Sequence, residues 1–294
     1  MKILITGIAG FLGQHLARQL MQGGHEVIGF DLSEPMKAQG AEVICGNLVS
    51  QAGFNQVPWD ELDAIYHLAS AGVKPSSRKW SQCVDVNISG TLNLISNIRR
   101  KCVQNPTFIY THSFYEDLII ENPVLKENPY ILTKSAATKI VEFFASVYEG
   151  AVIDFRLFQV YGPGDGPETV LPYVCTRLSS RKTAELGSGI GLRDWVYVDD
   201  VISGLLLALD RPAASGISQY DLGSGVLTSI RNVVEMVSRS FGVGDDLLVF
   251  DEARDRADVG LAEVAHRSLP GWICQTSLAS GIKRLVESYM NVEK

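Results

Sequence analysis

The chain has 294 residues, 46 % of them hydrophobic, enough for a buried core in one large domain or two unequal ones. A net charge of −7 without a block of like charges excludes a nucleic-acid groove, which needs clustered Lys and Arg, and points to small or weakly charged partners. No apolar run approaches the roughly 20 residues of a membrane span, and five scattered cysteines without CxxC pairing exclude a disulfide framework or a metal site.

Residues 1–31 set the frame. Lys2-Ile3-Leu4-Ile5-Thr6 reads as a strand, Gly7-Ile8-Ala9-Gly10-Phe11-Leu12-Gly13 as a glycine turn, and Leu16, Leu20 and Met21 as the apolar face of a helix that Gly23-Gly24 stops. The apolar start meets this turn too soon for a signal peptide, so we expect a cytoplasmic protein with no membrane association. His25-Glu26-Val27-Ile28-Gly29-Phe30-Asp31 is a second strand ending in a carboxylate. Strand, glycine turn, helix, strand and acid make the unit that holds a dinucleotide. The glycines let the backbone turn tightly and let a pyrophosphate approach amide N–H groups at the helix start. Asp31 would accept hydrogen bonds from the adenosine ribose and repel a 2′-phosphate, which favours NAD over NADP.

Further on, residues 41–45 read as a short strand followed by Gly46-Asn47-Leu48, where an adenine can lie. Residues 64–69 form the next strand, with His67 read as a hydrogen-bonded core residue, and Ser70-Ala71-Gly72 follow at the strand end where ligands bind in open parallel sheets. A long helix is expected over residues 80–100, with Asn87 on it, and a strand over 106–111 ending in His112-Ser113. After a polar loop, Tyr130-Ile131-Leu132-Thr133-Lys134 opens a helix running to about Tyr148, and the spacing of four puts Tyr130 and Lys134 on one face. A phenol with an ordinary pKa near 10 needs a nearby positive charge to exchange protons at neutral pH, and Lys134 can supply it. Ser113 can then orient a substrate oxygen while Tyr130 takes a hydroxyl proton as hydride leaves carbon for NAD.

The glycine turn, Asp31, His67-Leu68-Ala69, Asn87, Ser113 and Tyr130-x-x-x-Lys134 together resemble the extended short-chain dehydrogenase/reductase family, the sugar-nucleotide epimerases and dehydratases. The resemblance continues through Arg156-Leu157-Phe158-Gln159-Val160-Tyr161-Gly162-Pro163-Gly164 and Gly191-Leu192-Arg193-Asp194-Trp195-Val196-Tyr197-Val198-Asp199-Asp200. It ends in Arg256-Ala257-Asp258-Val259, Leu269-Pro270-Gly271-Trp272 and residues 277–282, so it spans nearly the whole chain. It implies that Gly7, Gly10, Phe11, Leu12 and Gly13 hold the pyrophosphate of NAD and that Asp31 holds the ribose. It further implies that Asn47 and Leu48 flank adenine, that Leu68, Ala69 and Asn87 belong to the cofactor cleft, and that Lys134 also binds the nicotinamide ribose. Arg193 and Arg256 stand where the family places arginines on a nucleotide-sugar diphosphate, which suits the planar donors of guanidinium.

Departures from the family pattern narrow the function. The Asp-Glu pair that follows the matching position in 4,6-dehydratases is replaced by Phe114-Tyr115, with Glu116 and Asp117 close behind, and only 17 positions separate Ser113 from Tyr130. Gln159 and Thr169 stand where the family commonly has asparagines that touch the sugar or phosphate, so recognition is expected to shift while the chemistry is kept. The resemblance implies an α/β fold, a Rossmann-type doubly wound parallel sheet with a smaller C-terminal substrate-binding lobe. The dinucleotide-binding domain is expected over residues 1–158, rejoined by about 195–222, and the lobe mainly over 159–294, with substrate in the cleft between. It also implies a homodimer, paired through the two long helices as a four-helix bundle. The expected function is an NAD-dependent 4-epimerase acting on a nucleotide sugar. The alternatives are an NAD(H)-dependent ketoreductase or dehydrogenase of a deoxy-keto sugar nucleotide or other secondary alcohol and, outside catalysis, an NAD-sensing regulatory protein.

Overall fold

A computed structural model describes residues 1–33, 40–119, 122–210, 216–256 and 258–290, so Ala257 of the C-terminal motif lies outside the described residues. The elements follow in the order β1 (Lys2–Thr6), α1 (Phe11–Gln22), β2 (Glu26–Asp31), β3 (Glu42–Cys45), α2 (Gln51–Phe54), β4 (Ala64–His67) and α3 (Trp80–Cys83). A π-helical segment, Val84–Gly90, joins α3 to α4 (Thr91–Lys101). Next come β5 (Thr107–Ser113), α5 (Tyr115–Leu118), α6 (Pro129–Val147), β6 (Ala151–Leu157), β7 (Gln159–Tyr161), α7 (Val170–Ser179), β8 (Ala184–Leu186), β9 (Leu192–Tyr197) and α8 (Val198–Leu207). The chain closes with β10 (Gly216–Leu222), β11 (Leu227–Ser229), α9 (Ile230–Phe241), β12 (Leu248–Phe250) and α10 (Leu278–Met290).

The chain divides into two compact units, residues 1–156 with 202–220, and residues 157–201 with 221–294. The first is built on a seven-stranded sheet of order β10-β6-β5-β4-β1-β2-β3, in which β3, β2, β1, β4 and β5 run parallel. The order reverses beside β1, which is where an open parallel sheet presents a ligand crevice. This is the Rossmann-like, mostly parallel sheet with flanking helices that the sequence leads one to expect. Its strands read as continuous apolar runs because both faces are covered: Ile3, Leu4, Ile5, Ala64 and Ile65 are fully buried. One layer of the core gathers Leu4, Ile28, Phe30, Phe54, Trp59, Ile65 and Phe108, with Phe30 stacked on Phe54 at 4.8 Å.

The second unit carries a three-stranded sheet of order β11-β9-β7 and a parallel pair β12-β8. Its long C-terminal stretch between β12 and α10 has only one short helical turn among the described residues, Glu252–Arg254, and is held largely by side chains. Asp194 accepts hydrogen bonds from the backbone of Ser224, Gly225 and Ala265, Asp221 from His266 and Arg267, and Asp200 from Gln275 and Thr276. Each carboxylate thus satisfies amide groups that no strand or helix pairs.

Candidate active site

The glycine turn between β1 and α1 has the backbone a dinucleotide needs. Gly7 has φ +79°, and a Cβ placed there would come within 2.7 Å of the Ala69 amide nitrogen. A Cβ on Gly13 would lie 2.1 Å from the Gly7 carbonyl oxygen, so only glycine lets α1 start this close to β1. Gly10 is the N-cap and has no side chain to satisfy the first amides of α1, which leaves the Phe11 and Leu12 N–H groups for an anion. Asp31, at the end of β2, accepts from Ala9 N at 2.9 Å and Leu32 N at 2.7 Å. A carboxylate has about four acceptor positions, so capacity for two ribose hydroxyls remains. These residues fit NAD: glycines where a pyrophosphate must approach, free amides at a helix start, and an acid at the second strand end.

The other cofactor-side residues divide. Leu68 and Ala69 follow β4, both partly buried, with Leu68 N bonded to the Thr6 carbonyl. Asn47 is exposed and accepts from Val49 N, while the Leu48 side chain is buried in the core, which leaves its backbone nearer the surface. Asn87 is expected from the sequence to face the cofactor, yet its amide is spent on protein. Oδ1 accepts from Ala71 N at 2.8 Å and Ser70 Oγ at 3.1 Å, and Nδ2 donates to Ala71 O at 3.0 Å and Thr133 Oγ1 at 2.9 Å. It therefore ties the loop after β4 to the helix that carries Tyr130 and Lys134. His67 is the core residue its strand suggests, bonded to Thr6 and Thr91, with its pKa lowered to about 3 by burial and, in the same sense, by the Lys134 charge.

Tyr130 and Lys134 lie on the first turns of α6, whose start is fixed by Pro129 at the first position and by the Asn128 side chain, which accepts from Tyr130 N at 3.1 Å. Lys134 is buried. Its Nζ donates to the Tyr110 hydroxyl and to the Thr111 carbonyl, both at 2.8 Å and both on β5, and sits 4.2 Å from the centre of the Tyr110 ring. Burial lowers its pKa, and the carboxylates of Glu116 and Asp154 oppose that. The Tyr130 phenol is pushed in both directions by its surroundings. Burial raises the phenol pKa, the Glu116 charge adds to the rise, and the opposing cation is the Arg78 guanidinium, which donates to the Gly72 carbonyl at 3.1 Å. Lys134 itself is held against β5 through Tyr110 and Thr111.

Ser113 ends β5, partly buried, with its Oγ accepting from Tyr115 N at 3.4 Å and its own N–H donating to Glu116 Oε1 at 2.8 Å. Glu116 is itself buried, and its second oxygen accepts from Thr138 Oγ1 at 2.7 Å. Neighbouring Asp117 pairs with the buried Arg156 at 2.6 Å. Behind them His112 Nδ1 meets Asp154 Oδ1 at 2.7 Å, and Gln219 donates to the other Asp154 oxygen. Burial works against the charged ring of His112, but Asp154 outweighs it and raises the pKa. Tyr110, Thr138 and the buried role of Glu116 are not singled out by the sequence reading. The available signal was Thr138 one turn beyond Lys134, extending the Tyr130, Lys134 stripe.

The residues expected to recognise substrate lie in the second unit. Gln159 is on β7, paired with Trp195 of β9. Thr169 caps α7, and its hydroxyl donates to Asp165 at 2.7 Å. Arg193, on β9, is buried, with Nη1 donating to the carbonyls of Leu192 and Leu261. Arg256 is well exposed and pairs with Asp258 at 3.1 Å. Among the described residues no group of three His, Cys, Asp or Glu side chains forms a metal site, and no helix is long and apolar enough to cross a membrane.

A Rossmann-like sheet whose first turn is a glycine cradle ending in an acid, with Ser, Tyr and Lys gathered at β5 and α6, defines an NAD-dependent enzyme of the extended short-chain dehydrogenase/reductase class. The model of the NAD dependent epimerase/dehydratase family matches residues 3–223, and the chain belongs to that family. It is 27 % identical to a UDP-glucuronate 4-epimerase of Thermodesulfobacterium geofontis, over 99 % of this chain and 97 % of that one. It is 28 % identical to a UDP-glucose 4-epimerase of Mycolicibacterium smegmatis, over 99 % of each. In fold it is similar to the UDP-glucose 4-epimerase of Thermotoga maritima solved with UDP-glucose, with a TM-score of 0.83, 23 % identity and 100 % of each chain covered.

The Asp31 assignment has a direct consequence. Asp31→Ala should weaken NAD about 10- to 100-fold, the worth of hydrogen bonds to a charged acceptor, and narrow its advantage over NADP. Titration of both dinucleotides checks this, and an unchanged preference would remove Asp31 from the ribose site.

Proposed function

We propose that this enzyme inverts a ring hydroxyl of a nucleotide-activated sugar, at C4. The observation that carries the reading is the cluster at the end of β5, where Ser113 is set by Glu116 and Lys134 is bound to the strand itself. Supporting it, two of the relatives similar over nearly the whole chain are named UDP-glucuronate and UDP-glucose 4-epimerases. In this reading the Tyr130 hydroxyl takes the proton of the sugar hydroxyl and later returns it, while Ser113 Oγ holds the same oxygen in line. NAD, which Gly7, Gly10, Gly13 and Asp31 would hold, would supply the acceptor and later the donor of the sugar's hydride. Burial pushes the Lys134 pKa down, and the carboxylates of Glu116 and Asp154 oppose that.

The two acids after Ser113 favour epimerisation over elimination of water. Glu116 accepts from Ser113 N and Thr138, and Asp117 is paired with Arg156, so neither is a free acid of the kind a dehydratase needs. Substrate recognition is assigned to Gln159 and Thr169 for the sugar and to Arg193 and Arg256 for the diphosphate. Of the two arginines, Arg256 is the better supported, since its guanidinium is more than half exposed beside Asp258. The first unit would hold NAD and the second the nucleotide sugar.

Tightness of NAD tests this reading. The purified protein is denatured, and released dinucleotide is measured by absorbance and mass. Stoichiometric NAD or NADH, followed by interconversion of 4-epimers in a nucleotide-sugar panel, is the expected result. A protein that binds NAD(H) only reversibly, and oxidises NADH against keto sugars, overturns epimerisation in favour of a ketoreductase with one net hydride transfer.

A homodimer is part of the same proposal. Trp80, Val84 and Leu92 on the α3–α4 helical run and Leu132, Phe143 and Val147 on α6 are exposed apolar side chains, Phe143 at 72 %. Leu132, Phe143 and Val147 fall on one face of α6, and a second copy packing helix on helix would cover them. Sedimentation equilibrium should give the mass of two chains.

A further inference from the structure

Glu116 is a buried ionisable group that exchanges no proton with substrate in the proposed chemistry. Its two oxygens accept from different elements, Ser113 N of β5 at 2.8 Å and Thr138 Oγ1 of α6 at 2.7 Å. The Ser113 N–H fixes one oxygen as an acceptor, and the Thr138 hydroxyl donates to the other when the carboxyl is ionised. The Thr138 hydroxyl also lies 3.5 Å from the Tyr110 hydroxyl, which in turn accepts from Lys134 Nζ at 2.8 Å. A chain of polar groups therefore runs from the backbone of Ser113 through Glu116, Thr138 and Tyr110 to Lys134.

We propose that Glu116 is a positioning residue for Ser113 and the buried counter-charge for Lys134, so that one carboxylate fixes the oxygen-holding group and sets the charge balance of the acid/base pair. The proposal rests on the reading of Tyr130 and Lys134 as that pair. A helix of four residues puts Glu116 in this place: α5 turns the chain back after Ser113, so the side chain three residues on meets the Ser113 amide. Residues on three elements face the carboxylate and its partners. Tyr110, His112 and Ser113 come from β5, Tyr130, Lys134 and Thr138 from α6, and Asp154 from β6; on its own helix, Asp117 is taken by Arg156. Burial raises the Glu116 pKa, and Lys134, His112, Thr138 and the Ser113 amide all pull it back down.

The sign of the effect follows from charge. A negative group raises the pKa of every neighbour, and the Glu116 carboxylate does so for both Tyr130 and Lys134. E116Q keeps the shape and removes the charge. In the NAD-loaded enzyme the kcat–pH profile should move to lower pH, because Tyr130 and Lys134 both titrate lower without the Glu116 charge. E116D, which keeps the charge but shortens the side chain, should leave the limbs in place and lower kcat.

Two readouts need no substrate. Protein carrying [ζ-13C]tyrosine, with Tyr130 identified by its loss in Tyr130→Phe, should show the Tyr130 titration at lower pH in E116Q. Protein carrying [δ-13C]glutamate should show the Glu116 carboxyl ionised at pH 7 in the wild type, a test that holds even if E116Q does not fold. A carboxyl protonated at pH 7, or E116Q with lowered kcat and every titration unmoved, overturns the proposal. If the tyrosine titration moves but no nucleotide sugar turns over, the counter-charge stands and the epimerase reading fails.

Discussion

Tyr130→Phe lowers kcat by about 10²- to 10⁴-fold, the usual worth of a positioned acid or base, and leaves NAD affinity near normal. The selectivity follows from where each function is anchored. The residues proposed to cradle NAD, Gly7, Gly10, Gly13 and Asp31, do not depend on the phenol. The helix that carries Tyr130 is held by the Asn128 cap and by the Asn87–Thr133 bond, so loss of one hydroxyl does not release it. Turnover of the sugar identified by screening, beside a dinucleotide titration, makes the comparison. Unchanged kcat would mean that the proton goes elsewhere, and a parallel loss of NAD binding would mean that the substitution disturbs the fold.

Gly13→Ala abolishes stoichiometric NAD retention. The methyl group would sit 2.1 Å from the Gly7 carbonyl oxygen and 2.7 Å from Ile8 Cα, both backbone, so no side chain can swing aside. Strand and helix must separate, and the Phe11 and Leu12 amides move with the helix. Two charge-assisted hydrogen bonds to a pyrophosphate, at about 1.5–3 kcal/mol each, amount to a fall in affinity of about 10²-fold or more. The overpacking itself costs about 1–3 kcal/mol, read as a lower Tm. Retention of NAD at one per chain would show that the turn accommodates the methyl and that the close approach is not what holds the cofactor.

The cofactor half of this molecule was legible because its signals are local. Gly7, Gly10, Gly13 and Asp31 lie within one strand-turn-helix-strand unit, and the backbone there is dictated by residue type. Tyr130 and Lys134 were legible for the same reason, one helical turn apart behind a Pro129 start. What surrounds them was not. The Lys134 partners, Tyr110 and Thr111, are more than 20 positions away, and only the placing of α6 against β5 makes them neighbours. Which groups Asn87 bridges was not legible, because Ala71 and Thr133 lie 16 and 46 positions away. The second unit was legible only through resemblance. The stretch after β12 has no period to read, and its path depends on Asp194, Asp200 and Asp221, distant in sequence from the amides they bind.

The sheet order also bears on the protein's synthesis. In the first unit β6 is followed in space by β10, but the chain makes residues 158–215 between them. At about 5–20 residues per second, β6 is therefore an open edge on the ribosome for roughly 3–12 s. An apolar strand with unpaired amides invites pairing with another nascent chain. The middle of β6 carries Asp154 and Arg156, fully buried in the finished protein. Until His112, Gln219 and Asp117 all engage them, these charges make β6 a poor template for a stranger and reserve the edge for its own β10.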